Sequence, residues 1–524
     1  MRAGSSRFCA RGPGIRLLVT LLATLALFAC AVGTTPDRTR ARPGKPDPGG
    51  GREGRPNGVV RVAYPEEPGS WYPAVGEEPA SIDLAALWGL PLYRVDPYGQ
   101  LRPMLAESSA VRPGSEGGPW EVDVRLRKGS WSDGKPVVAE DVVATLEAQR
   151  STRAAELEAL LVARAADEHT VRLTFSRPYG RWPYLLAGGF SVLPAHILAG
   201  SGLSAYANGV PVAGGAFRLE THDPGLRATF VAHPDGPLGS PALHRIEVYF
   251  TPSYETALGL LRDHQVDVTL GHLALNPLER ARRVEEVEAA APLGGTWTLL
   301  SWRPGGRVSS SPQRRIVIRD VVGASELVEG LLGETGEVMP STIPGVKGPW
   351  SGGRNTSGRI GRVDLELLVP AHQEVPNFTA RALLLDLGST GAEVNLVRIE
   401  PDELAARAAH EADGSLLVRR DLPRPSLLAR APPDAPPELR ALLAAADAAG
   451  SPDAPSIAAA LDRLHGYAAE LPLYRVGVAH VWRSSLLGLR PSAWPGLAFW
   501  EAAAWRWHDD EPPPQVPTLD GSGG

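Results

Sequence analysis

The chain has 524 residues, 43% of them hydrophobic and 21% charged. That is material for two or three packed lobes, and it excludes a wholly disordered, collagen-like or polytopic membrane protein. Lys+Arg number 53 against Asp+Glu 59, a formal net charge of -6, so the basic footprint of a nucleic-acid binder is missing. The only cysteines are Cys9 and Cys30, which leaves the downstream chain without a disulfide framework, a thiolate nucleophile or a cysteine metal site.

In chain order, the first expected element is a targeting segment. Arg2, Arg7, Arg11 and Arg16 form a positive start with no acidic residue, and 17–28 is an apolar run too short to span a bilayer comfortably. It ends in LFAC at 27–30, which resembles a bacterial lipobox, although Phe28 is bulkier than that pattern prefers. The resemblance implies a signal peptide over 1–29, removal of that peptide, and lipidation of Cys30, with two or three acyl chains giving a durable membrane anchor. Residues 30–58 are rich in Gly, Pro and Arg and are expected to be a flexible tether; 508–524 read as a polar tail of the same kind.

Between these ends the pattern is that of a folded α/β protein. Residues 59–63 (VVRVA) form a strand, 120–126 (WEVDVRL) alternate as a half-buried strand does, and 138–148 have helical spacing with Val142, Val143 and Leu146 on one face. A strand at 246–250 (IEVYF) is followed by Thr251-Pro252 as the cap and first turn of a helix running to Arg262, then by a short strand at 266–268. Strands at 365–369, 394–399 and 416–418 alternate with helices at 377–387 and 401–411. This β-α-β-α-β order predicts a largely parallel sheet, whose ligands bind at the carboxyl ends of its strands, in the loops 370–376 and 419–425.

Several chemistries are absent from the sequence. The histidines never come closer than His264 and His272, so there is no local metal-ligand cluster, and no GxSxG nucleophile elbow occurs. Residues 129–136 (GSWSDGKP) match the spacing of a phosphate loop, but Pro136 stands where a magnesium-binding hydroxyl belongs. A Gly-rich turn is the plainer reading.

An ordered series of segments carries a family resemblance. VRVAYPEEPGSWYP at 60–73, LW at 87–88, PLYR at 91–94 and LAES at 105–108 open it. LRKGSWSDGKPVVAEDVV at 126–143 is the strongest piece, and VLPAH at 192–196, PVAGGAFRL at 211–219, 255–267 and LPLY at 471–474 follow in order. Together they resemble the extracytoplasmic solute-binding proteins of the peptide/nickel/oligopeptide family of ABC importers. The resemblance implies a two-lobed, periplasmic-binding-protein-like (type II) fold, in which three subdomains surround a central ligand cleft. It places a first lobe at 59–77, 205–290 and 476–507, an inserted subdomain at 78–204 and a distal lobe at 291–475.

It also implies a role: binding a small-molecule or peptide ligand and handing it to importer permease subunits, as a monomer, with no cofactor, no metal, no nucleic acid and no catalytic residues. The alternative is a lipoprotein sensor or scaffold that keeps the fold without transport, and a cell-envelope hydrolase would need a convergent acid/base pair. Asp421 resembles the family aspartate that takes a ligand ammonium, with Arg420 beside it as a candidate for an anionic ligand; mutual neutralisation by Arg419, Arg420 and Arg424 is the bland reading. Glu77 and Glu78 lie just past Pro73, where the family's first lobe contacts ligand; a solvated surface pair is the plainer reading. Trp302 falls about where the family has a cleft Asn, and is expected either to stack on a ligand or to be core. Tyr474 lies at the return crossing, where its hydroxyl is expected to face the cleft. Trp131 and Trp182 read as core.

Overall fold

The computed structural model describes residues 58–73, 79–98, 100–112, 120–154, 157–187, 189–303, 305–338, 358–371, 373–420, 435–448 and 470–492, with 455–456, 459–460, 463, 494 and 496–508. The expected signal peptide, Cys30, Glu77, Glu78, Asp421 and nearly all of the expected tether and tail lie outside the described residues.

The strand expected at 59–63 is Val59–Tyr64, and it lies inside a seven-stranded sheet. Across that sheet the order is Val287–Ala290, Ala479–Arg483, Val268–His272, Val59–Tyr64, Arg245–Phe250, Arg227–Ala232 and Phe217–Asp223. Val59–Tyr64 is parallel to both of its neighbours. Val60, Val62 and Tyr64 enter one core while Ala63 enters the core on the opposite face, the period-2 division of a strand covered on both sides. The helix after Arg245–Phe250 is Tyr254–Arg262, and its cap differs from expectation. Ser253 caps it, its hydroxyl accepting from Thr256 N at 3.3 Å, while the Thr251 hydroxyl bonds the Tyr249 carbonyl.

A second, antiparallel sheet orders Ala106–Arg112, Trp120–Leu126, Thr170–Phe175 and Leu160–Asp167. Val122, Val124, Leu126, Val171, Leu173 and Phe175 point to one core with Val142 and Leu146 of helix Ala139–Gln149. Burying each such side chain contributes about 1.5–3 kcal/mol. The turn with phosphate-loop spacing is part of this packing. The Trp131 indole donates to Asp141 Oδ2 at 3.0 Å, and the same carboxylate receives Val138 N at 2.9 Å and Ala195 N at 2.8 Å. Gly129 leaves no room for a side chain, since a Cβ there would lie 2.6 Å from Pro237, and Gly134 has φ +84°.

A third sheet has the order Gly336–Glu337, Glu470–Val476, Thr296–Trp302, Gly414–Arg420, Val363–Pro370 and Ala392–Ile399. Val363–Pro370 is parallel to both Ala392–Ile399 and Gly414–Arg420, with helices Glu374–Ser389 and Pro401–His410 between them, as the β-α-β-α-β pattern predicts. Thr296–Trp302 and Glu470–Val476 add antiparallel pairs. Pro472 has no N–H to give to the ladder, and the register shifts where Leu299 meets it.

Among the described residues the chain passes between the first and third sheets twice, at 291–295 and at 477–478. The two crossings run side by side. Val478 N donates to the Pro292 carbonyl at 3.3 Å, Gly477 N donates to the Thr335 carbonyl at 2.7 Å, and a Cβ on Gly477 would lie 2.5 Å from the Ala291 carbonyl oxygen. Glycine is required there because two backbones touch.

Candidate ligand cleft

Parallel strands place ligand-binding loops at their carboxyl ends, and here two such edges face each other across the crossings. In the first lobe the loop after Val59–Tyr64 carries Glu67. Its carboxylate bonds His222 Nε2 at 2.6 Å and Gly225 N at 2.7 Å, and the Trp71 ring meets the His222 ring edge-on at 5.0 Å. Burial pushes the Glu67 carboxyl up, but the hydrogen bonds from His222 and Gly225 outweigh it and hold the group below its ordinary range. The neighbouring strand ends in His272, 1% exposed, with Nδ1 bonded to the Thr269 hydroxyl and Nε2 to the Thr251 carbonyl, both at 2.9 Å. Gly271, at φ +79°, lets this turn pass the Tyr64 ring, which a Cβ would strike at 2.8 Å.

On the distal edge, the start of helix Glu374–Ser389 is braced by Asn377. Its amide donates to the carbonyls of Pro370 and Gln373, both at 2.8 Å, and its Oδ1 accepts from Arg398 Nε at 2.8 Å. Further along this edge Trp297, 0% exposed, lies 5.8 Å below the Arg475 guanidinium, which also pairs with Glu337. In register, Trp297 faces Arg475 on one side and Arg419 on the other.

Contacts among the described residues reach across between lobes. Glu374 Oε2 accepts from Arg280 Nη1 at 3.1 Å and from Leu275 N at 3.2 Å, and Gly180 N meets the Ala448 carbonyl at 3.4 Å. No group of His, Cys, Asp and Glu suited to a metal ion occurs among the described residues.

Of the candidate residues, Arg420 ends strand Gly414–Arg420 at this carboxyl edge, its backbone paired with Thr296. Asp421 follows it outside the described residues, as do Glu77 and Glu78. Trp302 lies elsewhere. It pairs with Gly414 at the opposite end of the same ladder, so the strand rise separates it from the Thr296 end by about 20 Å. It is 6% exposed in the distal core, its ring filling the place a Gly414 Cβ would need, 2.8 Å away. Tyr474 is 0% exposed in the same core, and its hydroxyl bonds the Thr379 hydroxyl. Burial raises its phenol. Both side chains are held inside the distal lobe: of the two readings of Trp302 its burial agrees with core and not with stacking on a ligand, and the expectation that Tyr474 turns its hydroxyl to the cleft is corrected by its bond to Thr379.

Trp297, at the edge where Arg420 ends, went unnoticed in the sequence. Positions 297 and 302 differ by an odd number and so point to opposite faces of one strand, but that spacing does not say which of them lies at the edge. Arg280 and Glu374 carry no local signal at all.

Residues 100–357 match the model of the middle part of the bacterial extracellular solute-binding proteins, family 5. A Brucella melitensis protein described only as a binding protein is 29% identical over 153 residues, which is 27% of this chain and 23% of that relative's length. Among solved structures, the periplasmic EDTA-binding protein EppA superposes with a TM-score of 0.74 at 20% identity, covering 86% of this chain and 97% of the other. The oligopeptide-binding protein AppA of Bacillus subtilis, in complex with a nonapeptide, gives 0.73 at 16%, covering 86% and 100%. NikZ of Campylobacter jejuni, in complex with Ni(L-His), gives 0.75 at 16%, again covering 86% and 100%. The shared feature is the fold, two lobes of the type II periplasmic-binding-protein kind.

Proposed function

We propose that this chain, which belongs to the bacterial extracellular solute-binding proteins of family 5, captures a peptide-like or other small organic ligand between its lobes and delivers it to the permease subunits of an ABC importer. The observation that carries this reading is the pair of facing carboxyl edges joined by two adjacent crossings at 291–295 and 477–478, a geometry that closes on a ligand by bending. The similar structures are those of a protein described as EDTA-binding, one in complex with a nonapeptide and one in complex with Ni(L-His), so the fold does not name the ligand; cleft side chains do. Arg420, which ends strand Gly414–Arg420, and Asp421, Glu77 and Glu78 are the proposed polar contacts to the ligand. The protein works as a monomer, and no reaction is assigned to it.

No helix among the described residues is long and apolar enough to cross a membrane. Attachment in this reading comes from the lipid on Cys30. Cys30→Ser should move the protein from the detergent phase to the aqueous phase; unchanged partitioning refutes the anchor. The ligand is identified by mass spectrometry of what co-purifies with the mature protein. Peptide, sugar and metal-complex libraries should contain a member that raises the melting temperature by mass action. If none does, the sensor or scaffold reading replaces this one.

A further inference from the structure

The two covalent crossings lie against each other and form one narrow ribbon, about which two lobes can both bend and twist. A third connection exists, and it is noncovalent. The segment between strand Val268–His272 and helix Pro277–Ala281 leaves the first sheet and lays Leu273 and Leu275 against the distal core. The Leu275 peptide is gripped at both ends. Its N–H donates to Glu374 Oε2 at 3.2 Å, its carbonyl accepts from Arg280 Nη1 at 3.3 Å, and that Nη1 also donates to Glu374 Oε2 at 3.1 Å.

Arg280 is fixed from its own lobe. Glu255 accepts from its Nη2 at 3.0 Å, and the Tyr254 ring lies 5.1 Å from its guanidinium. Glu374 opens a distal-lobe helix, where the helix dipole favours an anion. The clasp leaves strand Val268–His272, whose neighbour Ala479–Arg483 is the strand that one crossing enters, so it lies beside the crossings. Among the described residues the lobes also meet at Gly180 N and the Ala448 carbonyl, 3.4 Å apart.

We propose that the Arg280–Leu275–Glu374 clasp is a third, noncovalent hinge connection. It keeps segment 273–276 on the distal lobe while the lobes open and close, and it restricts them to a single bending direction. Two substitutions cut it, Glu374→Ala and Arg280→Met, and the purified protein is studied with no ligand added. Hydrogen exchange at the Leu275 amide should speed up about ten- to a hundredfold in Glu374→Ala, the loss of one hydrogen bond to a charged group. Small-angle X-ray scattering should show a larger maximum dimension and a broader distance distribution in both variants. Faster Leu275 exchange with an unchanged scattering profile would mean a local staple and overturn the proposal, as would unchanged exchange. If Glu374→Ala fails to fold, Glu374→Gln keeps an acceptor for the Leu275 N–H and removes only the ion pair. Its scattering should still broaden, and a profile identical to wild type refutes the hinge role.

Discussion

Asp141→Asn tests whether the turn with phosphate-loop spacing is a structural device. The Asp141 side chain is 3% exposed, and its two oxygens take three N–H donors: Trp131 Nε1 and Val138 N on Oδ2, Ala195 N on Oδ1. Asparagine has one oxygen. Turned toward Trp131 and Val138, it sets its NH2 group against the Ala195 N–H; turned the other way, it strands two donors. The better orientation still loses one charge-assisted bond, about 1.5–3 kcal/mol, and leaves a buried donor facing a donor. The remaining two bonds become neutral ones of roughly half the strength. Together the expected cost is about 3–5 kcal/mol, the range seen when a buried polar network is broken. Urea denaturation followed by circular dichroism should show the midpoint fall accordingly, with an early transition in the segment around 120–200. Added ATP or phosphate should protect neither protein. A loss under about 1 kcal/mol would refute the reasoning, and so would protection by nucleotide.

Other expectations follow from particular contacts. Gly414→Ala places a Cβ 2.8 Å from the Trp302 ring, so overpacking should cost about 1–3 kcal/mol in a denaturant melt while ligand affinity holds; a matching loss of affinity would return Trp302 to the cleft. Glu67 has a folded pKa below its ordinary 4.5, so its contribution is present above pH 4.5 and fades as pH falls through the lower folded value. Glu67→Gln should therefore flatten the stability profile below pH 4.5, and parallel profiles for the two proteins would contradict this. For a peptide ligand with a free amine, Asp421→Asn should weaken binding on the order of a hundredfold, the cost of uncompensating one buried charge. For an anionic ligand Arg420→Ala should be the damaging change, and calorimetry giving equal affinities for both variants would remove the loop from the site.

Much of the fold was legible because strands and helices of this chain are locally consistent. VVRVA at 59–63 alternates faces and is a strand, and the strand-helix alternation over 363–420 predicted parallel pairing, which holds for those three strands, whereas the sheet as a whole is mixed because three antiparallel pairs join it. A cap shifted from Thr251-Pro252 to Ser253, since several hydroxyls near a helix start compete and only the final backbone path selects one. The cleft was less legible. Asp421, Glu77 and Glu78 came from motif position, and the structure describes none of them.

What the sequence by itself determined is what local periodicity and motif order carry: the α/β class, the elements, the family resemblance, and the strand that delivers Arg420 to a carboxyl edge. What only the tertiary structure decided is which ends meet. Trp302 and Trp297 sit on one strand, and nothing in their spacing says which end faces the other lobe until Thr296 is paired with Arg420 and Trp302 with Gly414. Arg280 and Glu374 are separated by 94 residues and look like ordinary surface charges along the chain. Their meeting around the Leu275 peptide is fixed by how two cores dock, a sum of many nonlocal contacts that no short window of sequence contains.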